Sequence, residues 1–199
     1  MSRKHRICLE NVTYHTHSRC IEKKPLMRSE KIKELMIFVL NRALKKYHFE
    51  LSGYTIMDNH FHFYIKTLKD GETISRIMQF IKAQFSRRYN RLMNRTGPFW
   101  NERFGDTIIE FSDDPESVFF YILWYIGYNP VRSHYVQDPR DYPYSSINCY
   151  LDKNYKSPVK ITLHDFFIKL GSKSNERVKK LLEYEEQYRK RIFSQYVYA

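Results

Sequence analysis

Apolar residues at positions 32, 35, 36, 39, 40, 43 and 44 recur every three or four residues, the spacing of one face of an α-helix. They predict a helix over residues 29–47, with Ser29 as its N-cap. A second such stripe, Ile74, Ile77, Met78, Ile81, Phe85 and Leu92, predicts a buried helix face over 73–94, and Gly97-Pro98 ends it. Residues 49–57 and 60–67 are β-prone runs joined at Asp58-Asn59, which suits the turn of a hairpin. Residues 11–19 alternate and read as a strand, as do residues 105–111. Asp113 or Asp114 then caps a helix that starts at Pro115 and ends near Asn129, because Pro130 follows. Residues 138–160 are rich in Pro, Asp, Ser, Asn and Tyr and read as irregular, while residues 162–192 read as helical. The order is strand, helix, strand, strand, helix, strand, helix. It predicts an α+β fold whose first six elements form a ferredoxin-like split βαβ sandwich with an antiparallel sheet. Residues 1–135 are expected to be the catalytic domain, and 136–199 an irregular and helical extension packed on it.

The second hairpin strand changes this picture. It opens Asp58-Asn59-His60-Phe61-His62-Phe63-Tyr64-Ile65-Lys66. Strand side chains alternate faces, so Phe61, Phe63 and Ile65 enter the core while His60, His62 and Tyr64 share the opposite face. Two imidazoles two residues apart on a strand can bind one cation together. A His-x-His pair alone is weak evidence, since the chain has 8 histidines and His15-Thr16-His17 forms a second pair. The apolar residue between His60 and His62 continues the core face, which leaves the histidine face as a site wall.

The segment Phe119–Val131 holds three tyrosines near a helix end. Residues four apart share a helix face. Tyr125 has Asn129 at that offset, an amide able to ligate a metal or orient a phosphate. Tyr121 has only Tyr125 there, and Tyr128 has Arg132 with Pro130 intervening. Tyr125 is therefore the first candidate nucleophile and Tyr121 the second; aromatic core packing is the alternative account of the segment.

Composition narrows the partner. The 199 residues carry a formal net charge of +12, which favours a polyanion. Arg3, Lys4 and Arg6 read as a basic arm for a phosphate backbone, and Arg87, Arg88, Arg91 and Arg95 as a basic helix face. Aromatic residues make up 17%, enough for a large aromatic core and for base stacking; Phe99 and Trp100 read as core. No apolar run approaches the roughly 20 residues of a membrane span, and no secretory signal is read. Cys8, Cys20 and Cys149 lack CxxC spacing and read as reduced thiols of a cytoplasmic protein. No GxxxxGK[ST] phosphate loop is present.

Taken together, these stretches resemble the single-tyrosine HUH transposases (IS200-like), and especially their REP-associated branch. Tyr14-His15 with Ser18-Arg19 matches the opening strand, and Tyr54 through His62 is similar to the family's Y-x-x-M-P-N-H-x-H. Gly97 through Phe104 looks like G-x-x-W-Q-x-R-F, which brings in Arg103 as a further DNA-binding candidate. Tyr125 through Arg132 is similar to Y-I-x-x-N-P-V-R, and Tyr142 through Ser146 to Y-x-W-S-S. Asp58 stands where the family commonly has Pro, Asn101 where it has Gln, and Ser133-His134 where it has a small residue and Gly. The resemblance implies that His60, His62 and Asn129 hold Mg²⁺ or Mn²⁺. It implies that Tyr125 attacks a phosphate of single-stranded, hairpin-bearing DNA to give a 5′-phosphotyrosine and a free 3′-OH, in a monomer or homodimer. Three alternatives remain: a non-mobile DNA-binding protein on this scaffold, a replication initiator or relaxase, and a hydrolytic metalloenzyme acting through metal-bound water.

Overall fold

The computed structural model describes residues 6–196, with side chains through Ile192. Arg3 and Lys4 of the expected arm lie outside the described residues. The elements are β1 (Thr13–Arg19), α1 (Glu30–Lys46), β2 (Phe49–Ile56), β3 (His60–Thr67), α2 (Ile74–Leu92) and β4 (Gly105–Ile108). They are followed by α3 (Pro115–Gly127), α4 (Asn129–Arg132), α5 (Asn148–Leu151), α6 (Asp165–Lys169) and α7 (Ser174–Tyr196). The sheet order is β2-β3-β1-β4 with every neighbouring pair antiparallel. Inserting β3 between β1 and β2 is what splits the βαβ unit, so the architecture is the α+β sandwich expected.

Alternation along β1 and β3 decides what each sheet face carries. Tyr14, Phe61, Phe63 and Ile65 face α1 and α2 and are fully buried with Met36, Leu40, Ile77 and Phe85. The opposite face carries Tyr64, whose hydroxyl donates to the carbonyl of Phe119 on α3 at 2.9 Å. α7 packs behind α3: the Trp124 indole N–H donates to Leu181 O at 3.1 Å and Phe120 stacks on Tyr184 at 4.3 Å. A third layer therefore covers one end of the histidine-bearing face and leaves the other end open.

Four boundaries differ from the sequence reading. The last strand covers only Gly105–Ile108, then turns as a 3₁₀ helix over Ile109–Phe111. The C-terminal helical stretch is two helices, α6 and α7. Leu92 is exposed and Tyr89 is buried in its place, because Phe99 returns across α2 and packs on the Tyr89 ring at 4.5 Å. Ser29 caps α1 through its carbonyl, which accepts from the N–H groups of Ile32 and Lys33, and not through its hydroxyl. The helix start at Pro115 is as expected, with the Asp114 side chain accepting from Ser117 N.

The β2–β3 turn explains why Asp58 can replace a proline. Its carboxylate is buried, accepts from Lys33 Nζ at 2.6 Å and lies 3.5 Å from Arg28 Nε. The buried Lys33 ammonium offsets the cost of burying the Asp58 charge in the turn.

His164 ties the C-terminal segment to β1. Its Nδ1 accepts from Phe166 N–H at 3.2 Å, so Nε2 carries the proton and donates to Thr13 Oγ1 at 2.8 Å. Burial, and then the Lys66 charge, pull its pKa down to about 4. The unfolded chain takes up a proton near pH 6.5 and the folded chain only near pH 4, so stability is full above pH 6.5 and falls as pH drops between the two. Replacing His164 by Gln is expected to remove about 3 kcal/mol of that acid-side loss. Urea unfolding of both proteins at pH 7.5 and 4.5 checks it; equal pH slopes reject it.

Candidate active site

The β1–β3 register places His17 opposite His62, His15 opposite Tyr64 and Arg19 opposite His60. Alternation then brings His15, His17, His60 and His62 onto one face as a cluster of four imidazoles. His15 and His62 stack at 5.1 Å, and His17 lies 5.9 Å from each of them. The close approach of His17 to β4 requires Gly105, since a Cβ there would stand 2.4 Å from the imidazole Cε1. A cleft of 1060 Å³ opens over the cluster.

From above, the end of α3 and the start of α4 close the cleft. Pro130 cannot continue α3, because it has no N–H and its ring would clash with the carbonyl four residues back. It is harmless in the first turn of a new helix, so α4 begins at Asn129. This break sends the Asn129 amide between the two imidazoles: Oδ1 lies 3.3 Å from His60 Nε2, and Nδ2 lies 3.3 Å from His62 Nε2.

The hydrogen bonds fix the tautomer of His60, and the orientation of the Asn129 amide sets that of His62. Asn59 Nδ2 donates to Lys23 O at 3.0 Å, so its Oδ1 is the atom 2.6 Å from His60 Nδ1, and that nitrogen must be the donor. His60 Nε2 therefore presents a lone pair toward Asn129 Oδ1, itself an acceptor. In this orientation Asn129 Nδ2–H donates to His62 Nε2, which puts the His62 proton on Nδ1, 2.9 Å from His15 Nε2. Both imidazoles are held neutral. Burial, followed by the Arg19 charge, lowers the pKa of His60 to about 4. Burial and then His15 lower that of His62 well below its usual value.

Once Asn129 Nδ2–H gives up its contact with His62, two nitrogen lone pairs and one amide oxygen form a donor set that fits a divalent cation. The opposition of His60 Nε2 to Asn129 Oδ1, two acceptors, would be relieved by a positive charge between them or by the amide turning over. No group of three or more His, Cys, Asp or Glu side chains among the described residues is disposed to hold a metal. The set here has two imidazoles, and its third donor is an amide.

Tyr125 is half-buried and borders the same cleft. Its ring stands 5.7 Å from that of His62 and 6.5 Å from that of His15, nearly perpendicular to both. The Arg132 guanidinium covers it at 4.3 Å from the ring centroid. Tyr121 also borders the cleft and is 37% exposed. Tyr128 is turned away, its hydroxyl donating to Glu185 at 2.6 Å. The three sequence candidates reduce to two.

Of the expected DNA contacts, Arg103 is exposed at the cleft border. Arg87, Arg88, Arg91 and Arg95 belong to α2 and its end, on the sheet's opposite side, and none borders the cleft. Arg87 and Arg91 are exposed, Arg88 stacks on Phe38 at 4.9 Å, and Arg95 donates to Pro98 O at 2.8 Å. The free arm is corrected at Arg6, which is ion-paired with Asp106, donates to Phe104 O and covers the Phe104 ring. Phe99 and Trp100 pack in the core as expected. The sequence reading gave no site role to Arg19 or Arg132, which line the cleft together with His17 and Lys23. Alternation of β1 could have found His15 and His17, and Arg19 with them.

Comparison with known proteins follows from this geometry. A family profile described as "Transposase IS200 like" matches residues 8–123. That span holds the four clustered histidines and ends before Tyr125 and Asn129. A Haemophilus influenzae protein named "Putative REP-associated tyrosine transposase" is 30% identical over 116 residues, covering 54% of this chain and 64% of that protein. The chain thus spans under two thirds of that relative's length. A solved structure of a REP-associated tyrosine transposase bound to a REP hairpin is similar in fold, with a TM-score of 0.63 and 17% identity over 83% of this chain and 94% of the other.

Proposed function

This chain belongs to the family of IS200-like transposases, and from that premise we propose that it cuts and rejoins single-stranded, hairpin-bearing DNA through a covalent bond to Tyr125. The observation that carries the reading is the convergence of His60 Nε2, His62 Nε2 and Asn129 Oδ1 beside the Tyr125 ring in one cleft. The similarity in fold to a hairpin-bound transposase motivates the choice of substrate.

His60, His62 and Asn129 would hold the divalent cation. Such a mixed nitrogen and oxygen set accepts Mg²⁺ or Mn²⁺ when phosphate oxygens complete the shell. When bound, the cation polarises the scissile phosphate and neutralises charge developing on it. The Tyr125 hydroxyl oxygen attacks phosphorus, forming an O–P bond and breaking the P–O3′ bond. The phenolic proton is lost to solvent or a neighbouring base, and the leaving 3′ oxygen takes up a proton. The DNA fragment downstream stays on the enzyme as a 5′-phosphotyrosine. Attack by another strand's 3′-OH reverses the step and joins DNA with no external energy source. Arg19, Lys23, Arg103 and Arg132 at the cleft border attract the backbone, with Glu102 the one carboxylate among the described residues lining the same cleft.

Incubation with a 3′-labelled, hairpin-bearing single strand and Mn²⁺ tests the proposal on a denaturing gel. Label is expected to migrate with the protein. Cleavage that releases only a free 5′-phosphate would show hydrolysis in its place.

No helix among the described residues is long and apolar enough to cross a membrane.

A further inference from the structure

We propose that His15 is a positioning residue that fixes the proton of His62 on Nδ1 and so turns the Nε2 lone pair into the cleft. The inference rests on the reading above, in which His62 is a cation ligand.

Each neutral imidazole has one donor nitrogen and one acceptor nitrogen. The two ligand candidates solve the same problem with different partners. His60 gives its Nδ1 proton to Asn59, its chain neighbour in the hairpin turn. His62 lies two residues into the strand, and its Nδ1 meets Nε2 of His15 on the adjacent strand at 2.9 Å, which makes His15 the acceptor when His62 carries its proton there. The register makes this possible: His15 pairs with Tyr64, one alternation step from His62, so the two rings meet diagonally on one face. Metal-binding imidazoles need such an acceptor for their second nitrogen, and its loss commonly weakens metal affinity by about 10–100-fold. His62 is almost wholly enclosed, so without His15 its Nδ1–H would be buried and unpaired, or its proton would move to Nε2 and block the lone pair.

His15 itself is 8% exposed, with Tyr64 at 5.8 Å and Tyr125 at 6.5 Å from its ring. It thus stands between the buried phenol that anchors α3 and the ring of the candidate nucleophile. A histidine present only to fill space would tolerate an apolar residue of similar size. A positioning histidine would tolerate only another acceptor at the same reach.

Mn²⁺ titration of the full chain, read by electron paramagnetic resonance, separates these cases. Wild type, His15→Leu, His15→Gln and His62→Ala are compared, with melting followed in parallel. His15→Leu is expected to bind Mn²⁺ about 10–100-fold more weakly. His15→Gln, whose Oε1 can accept the same hydrogen bond, is expected to recover most of that loss. Wild-type affinity in folded His15→Leu, beside lost binding in His62→Ala, overturns this inference alone. Unchanged binding in His62→Ala overturns the cation reading and the inference with it. Imidazole ¹⁵N spectra of the metal-free wild type supply a measurement independent of any variant. They are expected to show His62 protonated on Nδ1, and an Nε2–H form overturns the proposal.

Discussion

Tyr125→Phe is expected to lower DNA strand cleavage by on the order of 10³-fold or more while leaving the protein folded and still able to bind DNA. Removing a nucleophile removes the covalent route, and single losses of this kind in enzymes reach and exceed that factor. On the free-energy scale, 10³-fold corresponds to about 4 kcal/mol of barrier. The substitution deletes one oxygen and keeps the ring that lies under the Arg132 guanidinium and beside His62. Melting temperature and Mn²⁺ affinity should therefore move little. Tyr121→Phe is the necessary partner experiment, because Tyr121 borders the same cleft one helical turn earlier. It should retain the labelled covalent adduct. If Tyr121→Phe loses the adduct and Tyr125→Phe keeps it, the nucleophile has been assigned to the wrong turn of α3.

Glu185→Ala is expected to destabilise the chain by about 3 kcal/mol, the largest stability effect in this set. The Glu185 carboxylate on α7 accepts from Tyr128 at 2.6 Å and from Arg140 at 2.5 and 3.2 Å, and the residue is 7% exposed. Burial, with Glu185 adding to it, pushes the Tyr128 pKa up and keeps its phenol a donor. Removing the acceptor leaves that phenol unsatisfied. Arg140 keeps Asp138 at 3.0 Å and the Trp124 ring at 5.9 Å, in a half-buried place. Loss of one partner of a buried pair costs about 3–5 kcal/mol, and the partial exposure of Arg140 argues for the low end. For a chain of this length the loss is worth roughly 10 °C in melting temperature. Calorimetry that finds less than about 1 kcal/mol would show that the pair is solvated in solution. The carboxylate also clamps α7 to the end of α3, so cleavage should fall more than binding as Tyr125 loses its rigid support.

The sequence made the central strand legible because alternation is a local rule. His60 and His62 had to share a face once Phe61 and Phe63 were assigned to the core, and the helical offset of four paired Tyr125 with Asn129. What remained hidden depends on contacts between distant segments. The bond from His62 to His15 follows from the register of β1 on β3, which no local spacing sets. Pro130 marks a helix end and so hides any partner for Arg132, yet the chain starts a new turn there and folds Arg132 back over Tyr125. The arginines of α2 carry charge at the right spacing, but which side of the sheet a helix packs on is a tertiary choice. Tyr89 replaced Leu92 for a similar reason, since the cover over α2 comes from Phe99 beyond the helix.

Part of the segment read as irregular, residues 138–160, runs with Thr162 along the outer side of β2 and occupies its backbone. Ile56 N donates to Tyr144 O, Ile56 O accepts from the Tyr142 hydroxyl, Ser146 both donates to Tyr54 O and accepts from Tyr54 N, and Leu51 O accepts from Thr162 N. A sheet margin with its amides engaged offers no template for a foreign strand. Fibril growth and strand exchange between copies are thereby denied their usual starting point on that flank.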